Sequence, residues 1–144
     1  MKEYVIAFIV SILSFFIPVV PLLLLVGLFI CLDTILGIWA CKRQGEKITS
    51  HKLSAMIPKM FLYQGAVMTG YLVDVFLLGE FIGLVFDIPL LFTKLIAMTL
   101  IFIEGVSLDE NWQKIKGKTF IQSFKEMVFQ VTSLKKDIQK LGKD

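Results

Sequence analysis

The chain has 144 residues, of which 56% are hydrophobic and only 19% charged, with a formal net charge of +3 and a mean hydropathy of +0.79. A water-soluble domain of this length has about 45–50% apolar residues and about a quarter charged residues. The apolar excess excludes an ordinary soluble core and fits several membrane spans. We therefore predict an all-α integral membrane protein with no room for a second large domain.

The first apolar segment, residues 4–17, is short for a membrane span, which needs roughly 20 residues. It is followed by Pro18 and Pro21, which interrupt helical hydrogen bonding, so we expect a turn or kink there. Two interpretations remain open: a thin first span that makes a hairpin with the next helix, or a helix in the outer interface. The sequence thus predicts three transmembrane helices, or four if residues 4–17 cross.

Residues 22–41 form the strongest predicted span, a nearly unbroken apolar run closed by Lys42 and Arg43. A helix of that length crosses the roughly 30 Å hydrocarbon core of a bilayer. Asp33 lies near its middle. Because a carboxyl group there costs at least ~2.5 kcal/mol, we expect it to face protein or water and not lipid.

The next predicted span, residues 60–79, follows a basic loop and contains Asp74. Ala66 and Gly70 lie four residues apart in it, a spacing of small residues that lets helices approach closely. By the positive-inside rule the basic loop is predicted to be cytoplasmic. Its basic residues, opposed only by Glu46, are Lys42, Arg43, Lys47, Lys52 and Lys59.

The last predicted span, residues 88–106, follows a turn predicted over residues 79–87. That turn contains two acidic residues and no lysine or arginine, which fits the outer side of the membrane. Lys94 lies near the outer end of the span and Glu104 near its inner end.

Residues 1–108 are therefore assigned to a membrane domain and residues 109–144 to a basic cytoplasmic tail. Ser107 and Glu110 have the spacing of a capping box, which predicts that a short helix begins there. Gly117 is predicted to end it.

The rest of the tail is predicted to be an amphipathic or coiled-coil helix, with Thr119 and Gln122 repeating the capping pattern. Ile121 and Val128 widen its apolar stripe, which favours helix bundling or docking on a membrane surface over a narrow dimer. The stripe itself consists of residues at alternating spacings of four and three: Phe120, Phe124, Met127, Val131, Leu134, Ile138 and Leu141.

The ionisable residues inside the spans carry the sharpest functional signal. The predicted topology places Asp74 with Lys94 toward the outer side, and Lys59 with Asp33 or Glu104 toward the inner side. Two interpretations remain open: these groups form a polar path or an assembly switch that exchanges partners between subunits, or they hold a single bundle together.

No catalytic constellation is present in the sequence. His51 is the one histidine, and the chain has no metalloprotease, phosphate-loop or dinucleotide-binding motif, so we predict a protein that is not an enzyme and binds no metal or cofactor. Lysines beside membrane spans set topology and contact anionic lipid, so nucleic-acid binding is not predicted.

Two blocks of sequence resemble a known family. Residues 33–37, Asp-Thr-Ile-Leu-Gly, followed by the basic loop, Ser50 and Lys59, resemble a segment of the small phage lysis and toxin-secretion holins. Residues 104–111 are similar to the Glu-Gly-x-Ser-x-x-Glu-Asn pattern that closes the last span of that family. The positions that match this second pattern are Glu104, Gly105, Ser107, Glu110 and Asn111.

The resemblance implies a protein that accumulates in the bacterial cytoplasmic membrane, homo-oligomerises and opens lesions. Such lesions release a cell-wall hydrolase or collapse the proton-motive force during phage lysis. On this hypothesis Asp33, Gly37 and Glu104 carry helix assembly, and the partners are the lipid bilayer, further copies of the chain and an antiholin or hydrolase. The alternatives are an antiholin-like regulator and a non-enzymatic membrane adaptor that recruits a partner through its C-terminal helix.

Overall fold

The computed structural model describes residues 2–46, 54–85 and 88–141, without the side chains of residues 85 and 134–141. Every regular element in these ranges is helical, which confirms the all-α prediction. Ser50 and Asp87 lie outside the described residues. The helices are α1 (Lys2–Phe16), α2 (Val20–Arg43), α3 (Met56–Val73), α4 (Gly79–Val85), α5 (Leu91–Lys116) and α6 (Phe120–Leu141).

Helix α1 continues into α2 through a single 3-10 turn, Ile17–Val19. The prolines interrupt the α-helical hydrogen bonds here as predicted, since proline has no backbone N–H. The backbone nevertheless remains right-handed, so Lys2–Arg43 is one helical stretch of 42 residues and not the reversal that a hairpin requires. The hydroxyl of Tyr71 in α3 donates a hydrogen bond to the carbonyl of Phe15 and holds this junction against the bundle.

Within the described ranges, three helical stretches are long and apolar enough to cross a membrane: Lys2–Arg43, Met56–Leu84 and Leu91–Lys116. Their most extensive contact is between α2 and α5, and α3 packs against both. The buried core of this bundle is small and consists of Val19, Val26, Ile30, Val67, Tyr71 and Ala97. Most of the remaining apolar surface faces outward, as expected for helices surrounded by lipid.

The turn predicted to begin at Gly79 is wrong, because the helix continues to Val85. Asp74–Leu78 form one wide turn of π-helix, and the N–H of Gly79 donates to the carbonyl of Asp74. A Cβ at Gly79 would lie 2.8 Å from that carbonyl oxygen. The glycine thus permits a close backbone approach inside the helix and does not break it.

Helix α5 is likewise longer than predicted. It runs without interruption to Lys116 and ends at Gly117, which has a φ of 71° and is the predicted stop signal. The capping pattern at Ser107 and Glu110 therefore begins no helix, because the residues before it are already helical and supply carbonyl partners to those N–H groups. The second capping box is confirmed: Thr119 and Gln122 each accept a hydrogen bond from the other's backbone N–H, at 3.1 and 3.2 Å.

Gly70 of α3 lies at a close contact with α5. A Cβ there would lie 2.7 Å from Cδ1 of Ile96 and 3.5 Å from Cα of Thr93. The small residue identified in the sequence thus lies at a helix–helix contact.

Replacing Gly70 by valine is expected to lower the free energy of unfolding by about 1–3 kcal/mol, because the added methyl groups overpack this contact. The measurement is a titration of the purified protein in mixed detergent micelles with sodium dodecyl sulfate. Gly65→Val is the matched control, because Gly65 lies in the same helix and a Cβ added there would have no neighbour within 4 Å. Equal losses for the two variants would contradict the expectation.

Candidate functional site

One lysine joins the three spanning helices. Nζ of Lys59, in α3, lies 3.1 Å from Oδ2 of Asp33 in α2 and 2.6 Å from Oε2 of Glu104 in α5. The sequence left Asp33 and Glu104 as alternative partners, and the structure brings both to the same ammonium group. We call Asp33, Lys59, Glu104 and Asn111, described next, the inner cluster.

Asn111 belongs to this cluster although no pairing was predicted for it. Its Nδ2 donates to Oδ1 of Asp33 at 2.9 Å. Asn111 and Glu104 are seven residues apart, two helical turns, and so lie on one face of α5. The seven-residue spacing of Glu104 and Asn111 in the second sequence block could therefore have predicted that both residues face the other helices of the cluster.

Gly37 lies one helical turn from Asp33 and faces Asn111. A Cβ at Gly37 would be 3.5 Å from Nδ2 of Asn111, an ordinary contact distance. The space accepts a methyl group, but a longer side chain would displace the amide from Asp33. The small residue thus keeps α2 and α5 close where the cluster forms.

The inner cluster has two carboxylates and one ammonium group, a formal sum of −1. Glu104 is 0% exposed, whereas the side chains of Asp33 and Lys59 are 13% and 30% exposed. Oε2 of Glu104 contacts the ammonium group of Lys59, and the hydroxyl of Tyr63, one turn after Lys59, is a second hydrogen-bonding neighbour of this carboxylate, outside ideal geometry. A buried carboxylate is costly unless it is paired and hydrogen-bonded, and here one ammonium group serves two carboxylates.

A cavity of about 360 Å³ opens beside the cluster, between the C-terminal halves of α2 and α5 and the N-terminal end of α3. Asp33, Lys59, Asn111 and Lys114 are among its lining residues, and Glu104 is not. The cluster therefore has one side accessible to water and one side that is dry. In the described ranges no three His, Cys, Asp or Glu residues are grouped to hold a metal ion. The chemistry that this arrangement offers is charge pairing between helices.

The predicted pair of Asp74 with Lys94 is wrong. The buried carboxylate of Asp74 accepts hydrogen bonds from the N–H of Thr93 at 2.6 Å, the N–H of Phe92 at 3.3 Å and the Thr93 hydroxyl. These are N–H groups of the first turn of α5, where Leu90 provides no side-chain cap and has a φ of 55°. Asp74 thus caps α5 from another helix. A helix turns about 100° per residue, so Lys94 projects away from the side on which Thr93 meets this carboxylate.

The remaining predicted residues lie outside the inner cluster. A Cβ at Gly105 would meet nothing within 4 Å, Ser107 is half-buried and Glu110 is exposed. The described side chains of the tail stripe, Phe120, Phe124, Met127 and Val131, are all exposed.

Comparison with known proteins supports one family. A model of the bacteriophage holin family matches residues 7–133, a range that contains the inner cluster, all three spanning stretches and the first part of α6. No curated protein and no solved structure matches the chain.

Proposed function

Because the chain belongs to the bacteriophage holin family, we propose that it oligomerises in the cytoplasmic membrane and opens lesions, with the inner cluster as its assembly switch. It is a holin-like protein of the inner membrane with several spans. The lesions would release a cell-wall hydrolase or dissipate the proton-motive force.

The observation that carries this proposal is the sharing of one ammonium group, that of Lys59, by two carboxylates, of which Glu104 is fully buried. Charged groups away from water are stabilised only by partners, so the pairing of this cluster decides how the helices associate. A second copy of the chain brings the same ratio of one ammonium group to two carboxylates, so pairs exchanged between subunits are equal in number to the pairs within one bundle. In the proposal the cluster therefore switches between pairing inside one bundle and pairing between copies.

The outer surface of the bundle supports self-association. Helix α1 has no buried residue, and its apolar side chains, such as Tyr4 and Phe8, are 80% and 67% exposed. In a membrane the free energy of this surface is similar in contact with lipid and in contact with another helix, since lipid tails are as apolar as leucine. Small differences in polar pairing can then decide whether copies associate.

The charge distribution supports an orientation with the C-terminus in the cytoplasm. Lys42 and Arg43 end α2, and Lys114 and Lys116 lie in the last turn of α5. The opposite end of the bundle carries Glu80 in α4. By the positive-inside rule these two basic ends would lie in the cytoplasm.

The direct test is inducible expression in bacteria while membrane potential and release of a co-expressed cytoplasmic cell-wall hydrolase are followed. Abrupt depolarisation, followed by lysis that depends on the hydrolase, is the expected result. Stable insertion without depolarisation would overturn lesion formation and favour the antiholin-like regulator or the adaptor.

Asp33→Asn is expected to bring lesion onset forward at equal protein level while leaving insertion intact. The change removes one ion pair that holds α2 against α3, worth about 1 kcal/mol for a partly exposed pair, roughly a fivefold shift toward opening. Onset is read from the time of depolarisation. Glu110→Gln is the control, because it removes an exposed carboxylate outside the cluster. Unchanged or later onset of depolarisation would show that the Asp33 ion pair does not hold the bundle closed.

A further inference from the structure

Helix α6 carries an apolar stripe that no described part of the chain covers. The side chains of Ile121, Phe124, Met127, Val128 and Val131 are between 47% and 67% exposed. At 3.6 residues per turn these positions fall within an arc of about 120°. A continuous apolar surface of this kind marks an interaction site.

The junction with α5 places the start of α6 at the membrane surface. Helix α5 has 26 residues, about 39 Å, so its last turns extend beyond a hydrocarbon core of about 30 Å. Trp112 lies in those turns, and aromatic residues of this type are enriched at the headgroup level.

The first turn of α6 folds back to the level of Trp112. The N–H of Phe120 donates to Oδ1 of Asp109 at 2.7 Å, and Nε1 of Trp112 donates to Oγ of Ser123 at 3.0 Å. The rings of Trp112 and Phe120 are 5.5 Å apart. Contact between α5 and α6 is otherwise sparse, so beyond its first turn α6 does not pack back along α5. A helix that starts at the headgroup level and does not pack on its neighbour is free to lie along the bilayer surface.

The charge of the tail complements anionic lipid. Residues 109–144 contain eight lysines and five acidic residues, and Glu126 is paired with Lys118 at 2.6 Å. Lysines near an anionic leaflet each contribute about 1 kcal/mol to binding. A second α6 with the same excess of lysines would instead be repelled by this one.

From this geometry and charge, we propose that α6 docks on the cytoplasmic surface of the bilayer, with its apolar stripe among the acyl chains and its lysines at anionic headgroups. The inference depends on the proposed orientation of the chain and not on lesion formation. It assigns the stripe to lipid and not to a coiled-coil partner.

The test uses the full chain with Cys31 and Cys41 replaced by alanine and one spin label, at Val131→Cys or at Ser133→Cys. These positions are two residues apart, about 200° around the helix, and thus on opposite faces. The protein is reconstituted in vesicles of phosphatidylglycerol and phosphatidylethanolamine. We expect the label at Val131 to be accessible to oxygen and shielded from a water-soluble nickel chelate, and the label at Ser133 to show the reverse.

Two results would overturn the proposal. A label at Val131 that is shielded from both reagents and shows dipolar broadening would assign the stripe to a second copy. A label that the nickel chelate reaches freely would mean that α6 stands in water, available to a soluble partner. Depolarisation in cells is measured separately, so failure of docking and failure of lesion formation are distinguishable.

A matched pair of substitutions tests the stripe itself. Phe124→Glu is expected to abolish the shielding of the Val131 label, whereas Phe129→Glu is expected to preserve it. Phe129 is 75% exposed and lies about 140° around the helix from Phe124, on the polar face. Shielding that survives Phe124→Glu would contradict docking through this stripe.

Discussion

Replacement of Lys59 by methionine is expected to lower the free energy of unfolding of the bundle by about 3 kcal/mol or more. The change leaves Asp33 and Glu104 as two carboxylates with no cation between them, one of them with no exposed surface. Removal of one member of a buried ion pair costs more than removal of the whole pair, because a charge remains without compensation. The measurement is unfolding by sodium dodecyl sulfate in mixed micelles, followed by tryptophan fluorescence.

Lys94→Met is the control for Lys59→Met, because Lys94 forms no ion pair among the residues that the structure describes. The same substitution there is expected to change the stability little. Addition of Asp33→Asn and Glu104→Gln to Lys59→Met is expected to restore most of the loss, since all the uncompensated charge is then gone. A triple variant as unstable as Lys59→Met would show that lost packing, and not charge, explains the effect.

Asp74→Ala is the second large effect, with an expected loss of about 3 kcal/mol. The buried carboxylate accepts hydrogen bonds from two backbone N–H groups and one hydroxyl at the start of α5, and each buried group left unsatisfied costs about 1–3 kcal/mol. The first turn of α5 is therefore expected to fray. Hydrogen exchange should be faster at the amides of Phe92 and Thr93 and unchanged near the inner cluster.

Asp74→Asn is expected to cost less than Asp74→Ala, because the amide keeps one acceptor oxygen. Glu80→Ala, at an exposed carboxylate in the neighbouring α4, serves as the control and should leave the exchange of Phe92 and Thr93 unchanged. Unchanged exchange in Asp74→Ala would show that another group satisfies these N–H donors.

Local signals succeeded where one stretch of chain contains all the groups involved. Gly117 ends α5, and Thr119 with Gln122 caps α6, because a backbone turn and its own side chains suffice. The same capping spacing failed at Ser107, since the outcome there depends on whether the preceding residues are helical. The turn predicted to begin at Gly79 failed for a related reason: glycine is compatible with a chain reversal, but here it accommodates a π-helical turn inside a continuing helix.

The pairing of charged residues depends on helix rotation, which no local signal specifies. The sequence associated Lys59 with Asp33 or Glu104 from their predicted depth in the membrane, and the structure places all three side chains together. Asp74 and Lys94 also share a predicted depth, yet Asp74 bonds to the backbone at Thr93 instead. No local sequence signal specifies which side of α5 faces α3. A rotation of α5 by one residue, about 100°, decides whether Asp74 meets the Lys94 side chain or the backbone at Thr93.

The sequence alone determined that at least three helical stretches are able to cross a membrane and which residues carry charges to neutralise, because transfer of apolar and polar groups between water and lipid depends on composition and length. Only the structure joined residues 4–17 to the second span as one stretch, Lys2–Arg43. Only the tertiary structure decided that Lys59 contacts both carboxylates and that Asn111 completes the inner cluster. These contacts require α2, α3 and α5 at specific rotations and distances. Close packing sets those rotations, with Gly37 and Gly70 at the helix contacts, and packing is a property of all three helices together.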